Sequence, residues 1–306
     1  MARAAPIDAP SDSFQFDSLW ALTAKRLLRH KVALAGLVVI GVIALAAIFA
    51  PIISADPNAQ DYTVINHGPS FSHWFGTDYL GRDIFSRVVH GARVSLMVGI
   101  FTQVIILAIG LPLGALAGYI GGKTDNFLMR FVDIIYAFPD LLFIILLRSV
   151  LGGGIFMLFL SIALVSWVDI ARLARGQVLV AKEMDYVKAA KALGAPPRWI
   201  LMKHVLPNSI GPIIVAVTFA VPRAIFIETA LSYIGIGVRP PTPSWGSMVQ
   251  DGYSLIFASP HLVLFPTIAI GLLMMAFTFL GDGLRDALDP RAPLRARTSH
   301  RITLSS

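Results

Sequence analysis

The residues with the most chemical potential are polar and charged side chains embedded in apolar runs. Gln103 lies within Ser95–Ile120, Asp133 and Asp140 within Phe131–Leu147, and Arg223 and Glu228 within Ile210–Ile234. An ionised group at the centre of a membrane helix costs roughly 2.5–3.5 kcal/mol on insertion scales, so such residues are partnered, or they serve a path or a proton relay. Pairing is the first expectation. Asp133 reaches the interface or Arg130, Asp140 follows Pro139 where a helix breaks, and Arg223 and Glu228 pair with each other or with a neighbouring helix. Lining a substrate path is the second expectation. A proton relay needs a chain of acids and histidines, and none is visible.

Other chemistries are excluded one at a time. With no cysteine, disulfides, thiolate metal sites and cysteine nucleophiles are absent. The seven histidines are scattered, with no paired-histidine zinc helix, and no Gly-x-Ser-x-Gly elbow occurs. His261 opens an apolar run as an interfacial residue, and Met274-Met275 is ordinary packing. Gly118-Tyr119-Ile120-Gly121-Gly122-Lys123-Thr124 approaches a phosphate loop, but Ala117 occupies the position of the first glycine and no strand precedes it. The segment reads as a tight turn between spans.

The elements that must hold these residues are membrane helices. The 306-residue chain is 56% hydrophobic and 14% charged, whereas soluble domains carry about 25% charged residues. Residues 1–18 read as a loose tail and Leu19–Lys31 as an interfacial helix with a basic flank. Val32–Ile53 has no charge and, at about 1.5 Å per residue, crosses the roughly 30 Å hydrocarbon layer. It is longer than a signal-peptide core and begins later, so an uncleaved anchor is expected. Ser54–Arg93 reads as a polar loop, in which Asp78, Arg82, Asp83 and Arg87 suit ion pairs within a self-capping surface helix. Five further spans follow: Ser95–Ile120, Phe131–Leu147, Leu151–Val168, one within Ile210–Ile234, and Leu262–Leu280. Gly110, Gly114 and Gly118 in the second allow close helix contact.

Lys and Arg fix the expected orientation. Nineteen of the 25 fall in segments on one side, which places both termini in the cytoplasm and requires an even number of spans. The six on the other side or within spans are Arg82, Arg87, Arg93, Arg148, Arg223 and Arg239. The net charge of +7 is therefore a topology signal and does not imply nucleic acid.

The polar stretch Arg172–Lys203 contains Asp185-Tyr186-Val187-Lys188-Ala189-Ala190-Lys191-Ala192-Leu193-Gly194. Tyr186, Ala189, Ala190 and Leu193 fall at i, i+3, i+4 and i+7, one apolar face with a small-residue centre. Gly194 suits a left-handed C-terminal cap, and Pro196-Pro197 the start of a second short helix, Arg198–Val205, which Leu206-Pro207 ends. Two readings stand: a docking knob for a partner's groove, or an amphipathic helix on the membrane surface.

Ala189-Ala190, then Gly194, then Leu206-Pro207 resembles the cytoplasmic signature of permease subunits in binding-protein-dependent ATP-binding-cassette importers. Lys188 stands where that pattern has an acidic residue, and His204 where it has an aliphatic one. Further stretches resemble the dipeptide, oligopeptide and nickel subfamily. They are His73 to Asp78 with Gly81-Arg82-Asp83, Gly91 to Leu96, Asp133 with Pro139, Glu228 to Gly235, Pro240 to Gly246, and Gly281 to Pro290.

The resemblance implies an all-helical integral membrane permease domain over 94–291, after an N-terminal segment (1–31) and a first span with its external loop (32–93), and before a tail (292–306). It implies a bacterial or archaeal inner-membrane protein, in contact with lipid and without a catalytic site or a metal of its own. It implies a homologous second permease subunit and two cassette ATPase subunits that bind ATP and Mg. An external solute-binding protein would deliver di- or oligopeptides, or nickel or another small solute. ATPase coupling falls on Asp185, Tyr186, Lys188, Ala189, Ala190, Leu193, Gly194, Arg198, His204, Leu206 and Pro207. A secondary transporter driven by an ion gradient is the alternative of a different class, although no internal repeat is seen. A membrane enzyme would lack its nucleophile and metal ligands.

Overall fold

A computed structural model describes residues 19–289; the two expected tails, 1–18 and 292–306, lie outside them. The first helix, α1 (Leu19–Leu27), turns into α2 (Lys31–Ile53), whose first turn is capped by the His30 imidazole accepting from the Ala33 N–H at 3.1 Å. A loop containing a short 3-10 turn (Tyr62–Val64) leads to α3 (Ile84–Ile120). There follow α4 (Gly122–Tyr136), α5 (Asp140–Leu151), α6 (Ile155–Lys182) and α7 (Asp185–Ala192). Then come α8 (Pro197–Ile200), a π-helical turn (Leu201–Val205), α9 (Leu206–Tyr233), α10 (Trp245–Tyr253) and α11 (His261–Leu288). No strand occurs among the described residues beyond an isolated bridge between Thr77 and Asp83. Five helices are long and apolar enough to span a bilayer, and a sixth span results if α4 and α5 are counted as one bent unit.

Four boundaries differ from expectation. The second span is a 37-residue helix that begins at Ile84 rather than near Ser95. At 1.5 Å per residue it is about 55 Å long, well beyond the hydrocarbon thickness. Its first turns are stabilised instead by protein, with Ile84, Val88, Ala92 and Leu96 buried around Trp245 and Met248 of α10. Asp83 caps it, accepting from the Ser86 N–H at 2.8 Å. The expected surface helix of ion pairs is therefore a buried network around this cap: Asp78, Arg82 and Arg87 are each 5% exposed or less.

The third span is not straight. α4 and α5 meet at 87° because Pro139 has no N–H to donate and disfavours a helical conformation at Phe138. The fourth begins only at Ile155, after Gly152 and Gly154 adopt φ values of 81° and 110°. It then runs through Arg172 to Lys182, where a polar loop was expected. The charges do not end it because partners on α4 match them, as described below.

The fourth difference is at Leu206-Pro207, which does not end the preceding helix. The Leu206 N–H bonds the Leu201 carbonyl, one residue further back than in an α-helix. This wider turn relieves the clash and the missing donor that Pro207 would otherwise impose, and the helix continues into α9.

Small residues set the packing. A Cβ at Gly110, Gly114 or Gly118 of α3 would fall 2.6, 2.1 or 2.7 Å from the carbonyl oxygens of Trp167, Ala171 and Arg175 on α6. These three glycines at a spacing of four bring two helix backbones together, as expected. Gly36 and Gly283 do the same for α2 against α11, where an added Cβ would lie 2.5 Å from the Ala276 carbonyl and 2.1 Å from the Ala33 Cβ.

Candidate functional site

Two features stand out, at different depths of the bundle. The first is a row of ion pairs joining the bent α4–α5 unit to α6 and α9. Arg175 binds Asp125 with Nε at 2.6 Å and Nη2 at 2.7 Å. Arg172 Nη2 lies 2.6 Å from Asp133 Oδ1, and its guanidinium sits 4.0 Å from the Tyr136 ring centre. Arg223 then bridges two carboxylates, donating to Asp169 at 2.7 Å and to Asp140. Asp169, Arg172 and Arg175 recur every three residues on α6, so one helix face presents all three.

These contacts redistribute the expected pairings. Asp133 takes Arg172, not Arg130. Asp140 does sit at the helix break, as the first residue of α5. Arg223 and Glu228 do not pair, because five residues at 100° each put them about 140° apart around α9. Glu228 is fully buried; it accepts from the Ser232 hydroxyl at 2.7 Å through Oε1, while Oε2 has no donor. Gln103 donates from Nε2 to the Ala220 carbonyl at 3.1 Å, leaving its buried Oε1 unpaired. Asp169 was missed in the sequence because it lies just beyond the expected end of the fourth span. Its three-residue spacing with Arg172 and Arg175 was the available signal.

The bridge borders open space. A cavity of 360 Å³ between α3, α6 and α9 is lined by Gln103, Ser166, Asp169 and Arg223 among otherwise apolar groups. A second hollow, at Tyr136–Asp140, shares Asp169 and Arg223. In the single chain the Asp140, Asp169 and Arg223 side chains are 41%, 45% and 50% exposed. Charged groups carried on membrane spans as a rule face protein or a water-filled path and not lipid.

The second feature is the α7 segment, at the end of the bundle formed by the last turns of α3 and α6. Val187 is fully buried with Ile200 and Val205 against Ala115, Val178 and Ala181. Gly194 has φ +80°, and the Ala195 N–H bonds the Ala190 carbonyl at 3.1 Å, a left-handed helix cap as expected. Val187, which the periodicity did not single out, anchors the helix inward with Ala190 partly buried, whereas Tyr186, Ala189 and Leu193 of the expected apolar face point outward, Leu193 being 88% exposed. The Trp199 and His204 rings meet edge to face at 4.8 Å, and Tyr186 lies 6.2 Å from His204. Lys188 is 3.8 Å from Glu183, a loose exposed pair. Asp185, Arg198 and Pro207 are exposed as well, and Leu206 is half-buried. The result is a small helical knob that presents Tyr186, Ala189 and Leu193 among charged side chains.

Known proteins resemble this chain in sequence and in fold. Residues 110–292 match the family described as binding-protein-dependent transport system inner membrane component, and residues 18–69 match the N-terminal TM domain of oligopeptide transport permease C. The oligopeptide transport system permease protein OppC of Bacillus subtilis (strain 168) is 44% identical over 289 residues, 93% of each chain. The dipeptide transport system permease protein DppC of the same organism is 42% identical, covering 93% of this chain and 88% of that one. The glutathione transport system permease protein GsiD of Pectobacterium atrosepticum is 42% identical over 89% of this chain and 91% of that protein. In fold, the chain resembles an inward-facing crystal form of the MetNI methionine ABC transporter, with a TM-score of 0.56 at 19% identity over 67% of this chain and 98% of that one. The α-helical bundle is thus that of a permease, and the chain belongs to the family of binding-protein-dependent transport system inner membrane components.

Proposed function

We propose that this chain is one half of the membrane pathway of an ATP-driven importer for di- or oligopeptides. Its relatives at 40% identity or more over most of its length are permeases of oligopeptide, dipeptide and glutathione systems. Nickel or another small solute is the nearest alternative cargo. A homologous permease completes the pathway, two cassette ATPases hold ATP and Mg, and an external solute-binding protein delivers the peptide. The 94–291 region is the permease domain, following a cytoplasmic segment (1–31) and a first span with its outer loop (32–93). Both termini and the α7 end lie in the cytoplasm, by the asymmetry of Lys and Arg.

The observation that carries this reading is the half-exposed Asp140–Arg223–Asp169 bridge on long apolar helices. An isolated subunit would present it to lipid at high cost, whereas a second permease subunit covers it and encloses a polar route. Gln103 and the 360 Å³ cavity lie along the same route. Asp133 ties α4 to α6 through Arg172, and Glu228 bonds within α9.

Coupling runs through α7. The outward residues Tyr186, Ala189 and Leu193, flanked by Asp185, Lys188 and Arg198, fit a groove on an ATPase subunit. The buried contacts of Val187, Ile200 and Val205 pass the ATPase movement to α3, α6 and α9. Gly194 keeps the knob in shape, and His204, Leu206 and Pro207 join it to α9 through the π-turn. Nucleotide closes the ATPases, and the helices exchange between outward and inward access because the ligands contact the two states differently. Co-purification tests this: the membrane-inserted chain should carry a cassette ATPase with it. Replacing Tyr186 and Leu193 with Asp should release that subunit while leaving insertion intact; retained ATPase and uptake would reject the coupling role.

A further inference from the structure

At the end of the bundle opposite α7, a recess of 600 Å³ opens between the start of α3, the α5–α6 turn, residues 235–242 and α10. Four arginines line it, Arg82, Arg87, Arg148 and Arg239, against one carboxylate, Asp251. Two of the four are neutralised. Asp78 lies 2.7 Å from Arg82 and 3.7 Å from Arg87, and Asp251 lies 3.5 and 3.6 Å from the same pair.

The other two are not. Arg148 is 5% exposed and donates to the backbone carbonyls of Gly152, Gly154, Ile236 and Gly237 at 2.7–3.1 Å. Its hydrogen bonds are satisfied, but its charge has no counter-ion. Arg239 is exposed, and no hydrogen bond or ion pair reaches it among the described residues. Its guanidinium lies over Gly153, where an added Cβ would fall 1.9 Å from Cζ.

On the proposed topology this end is external, where Lys and Arg are scarce, yet four of the six such arginines meet here. Two uncompensated guanidinium groups in one recess repel each other, and an anion relieves that repulsion. The free fork of Arg239 matches a planar carboxylate through two parallel hydrogen bonds. The volume is that of a small-ligand site, and the walls are turns pinned by Arg148 and by Trp245, whose Nε1 donates to the Val88 carbonyl at 2.8 Å.

We propose that this recess is a carboxylate site at the outer mouth of the pathway, in which Arg239 grips the C-terminal carboxylate of an arriving peptide while Arg148 supplies fixed positive charge. The inference rests on the peptide-import reading above. A preformed recess of this size favours a peptide end over an acidic side chain of the solute-binding protein.

The test uses the complete complex in proteoliposomes, with its own binding protein and radiolabelled trialanine or trialanine amide. Arg239→Gln should raise the KM for trialanine about tenfold, the scale of one lost charge-assisted pair, and leave uptake of the amide at its wild-type rate. Gly153→Ala, which displaces only the guanidinium, should reproduce this, and Arg239→Lys should recover part of the loss. An equal loss for acid and amide would overturn the proposal in favour of a binding-protein contact, and so would no loss for either. A wild-type complex that imports neither peptide overturns the peptide reading and this site with it.

Discussion

Replacing Arg223 with Gln leaves Asp140 and Asp169 facing each other without their shared cation. Two oxygens held by opposite amino groups of one guanidinium lie on the order of 5 Å apart. Like charges at that distance repel by about 3 kcal/mol at an effective dielectric of about 20, but by about 0.8 kcal/mol in bulk water. The size of the effect therefore reports what covers this face. In the assembled permease pair, Arg223→Gln should cost about 3 kcal/mol, roughly a hundredfold in the folded fraction, whereas a water-exposed bridge would cost under about 1 kcal/mol. Detergent titration of the purified pair in mixed micelles, following the loss of helix, measures the difference. Adding Asp140→Asn and Asp169→Asn to the same chain should recover most of it. A loss below 1 kcal/mol, or no recovery in the triple variant, refutes the idea that a second subunit encloses the bridge.

Other outcomes follow from the packing. Gly114→Leu places a side chain where a Cβ alone would be 2.1 Å from the Ala171 carbonyl oxygen, so α3 and α6 must separate; the chain should fail to accumulate in membranes, as a blot of the membrane fraction will show. Gly194→Val adopts φ +80° at a cost of about 1–2 kcal/mol, with nothing nearby to clash; it should weaken ATPase co-purification and uptake several-fold, whereas Gly194→Asn should retain most of both. Trp245→Phe removes the bond to the Val88 carbonyl and should lower stability by about 1 kcal/mol in the same titration.

The sequence made the long apolar helices legible because lipid demands continuous uncharged runs, and α2 and α9 follow them within a few residues, while α11 starts as expected and runs on eight residues to Leu288. Helix ends governed by protein rather than lipid were not legible. The extension of α3 to Ile84 depends on Trp245, which is 157 residues away, and the extension of α6 to Lys182 depends on acids of α4 that match its arginines. The glycines of α3 and the left-handed cap at Gly194 could be read from spacing, since each has a local geometric requirement. The anchoring face of α7 could not. Helical periodicity picked out Tyr186 and Leu193 as an apolar face, and these stay exposed, but nothing in the spacing said that the single β-branched Val187 would be the side chain buried against the bundle end. Asp169 escaped notice because it lies just past the expected end of the fourth span; its partner Arg223 is 54 residues away on another helix, so its spacing with Arg172 and Arg175 was the local signal.

The most direct measurement is peptide uptake by proteoliposomes holding this chain, its partner permease, the ATPases and the binding protein, with ATP supplied or withheld on the ATPase side. Accumulation that requires ATP and stops when Tyr186 and Leu193 are replaced by Asp is the predicted result. Uptake by vesicles containing this chain alone, driven by an ion gradient and indifferent to ATP, would contradict it.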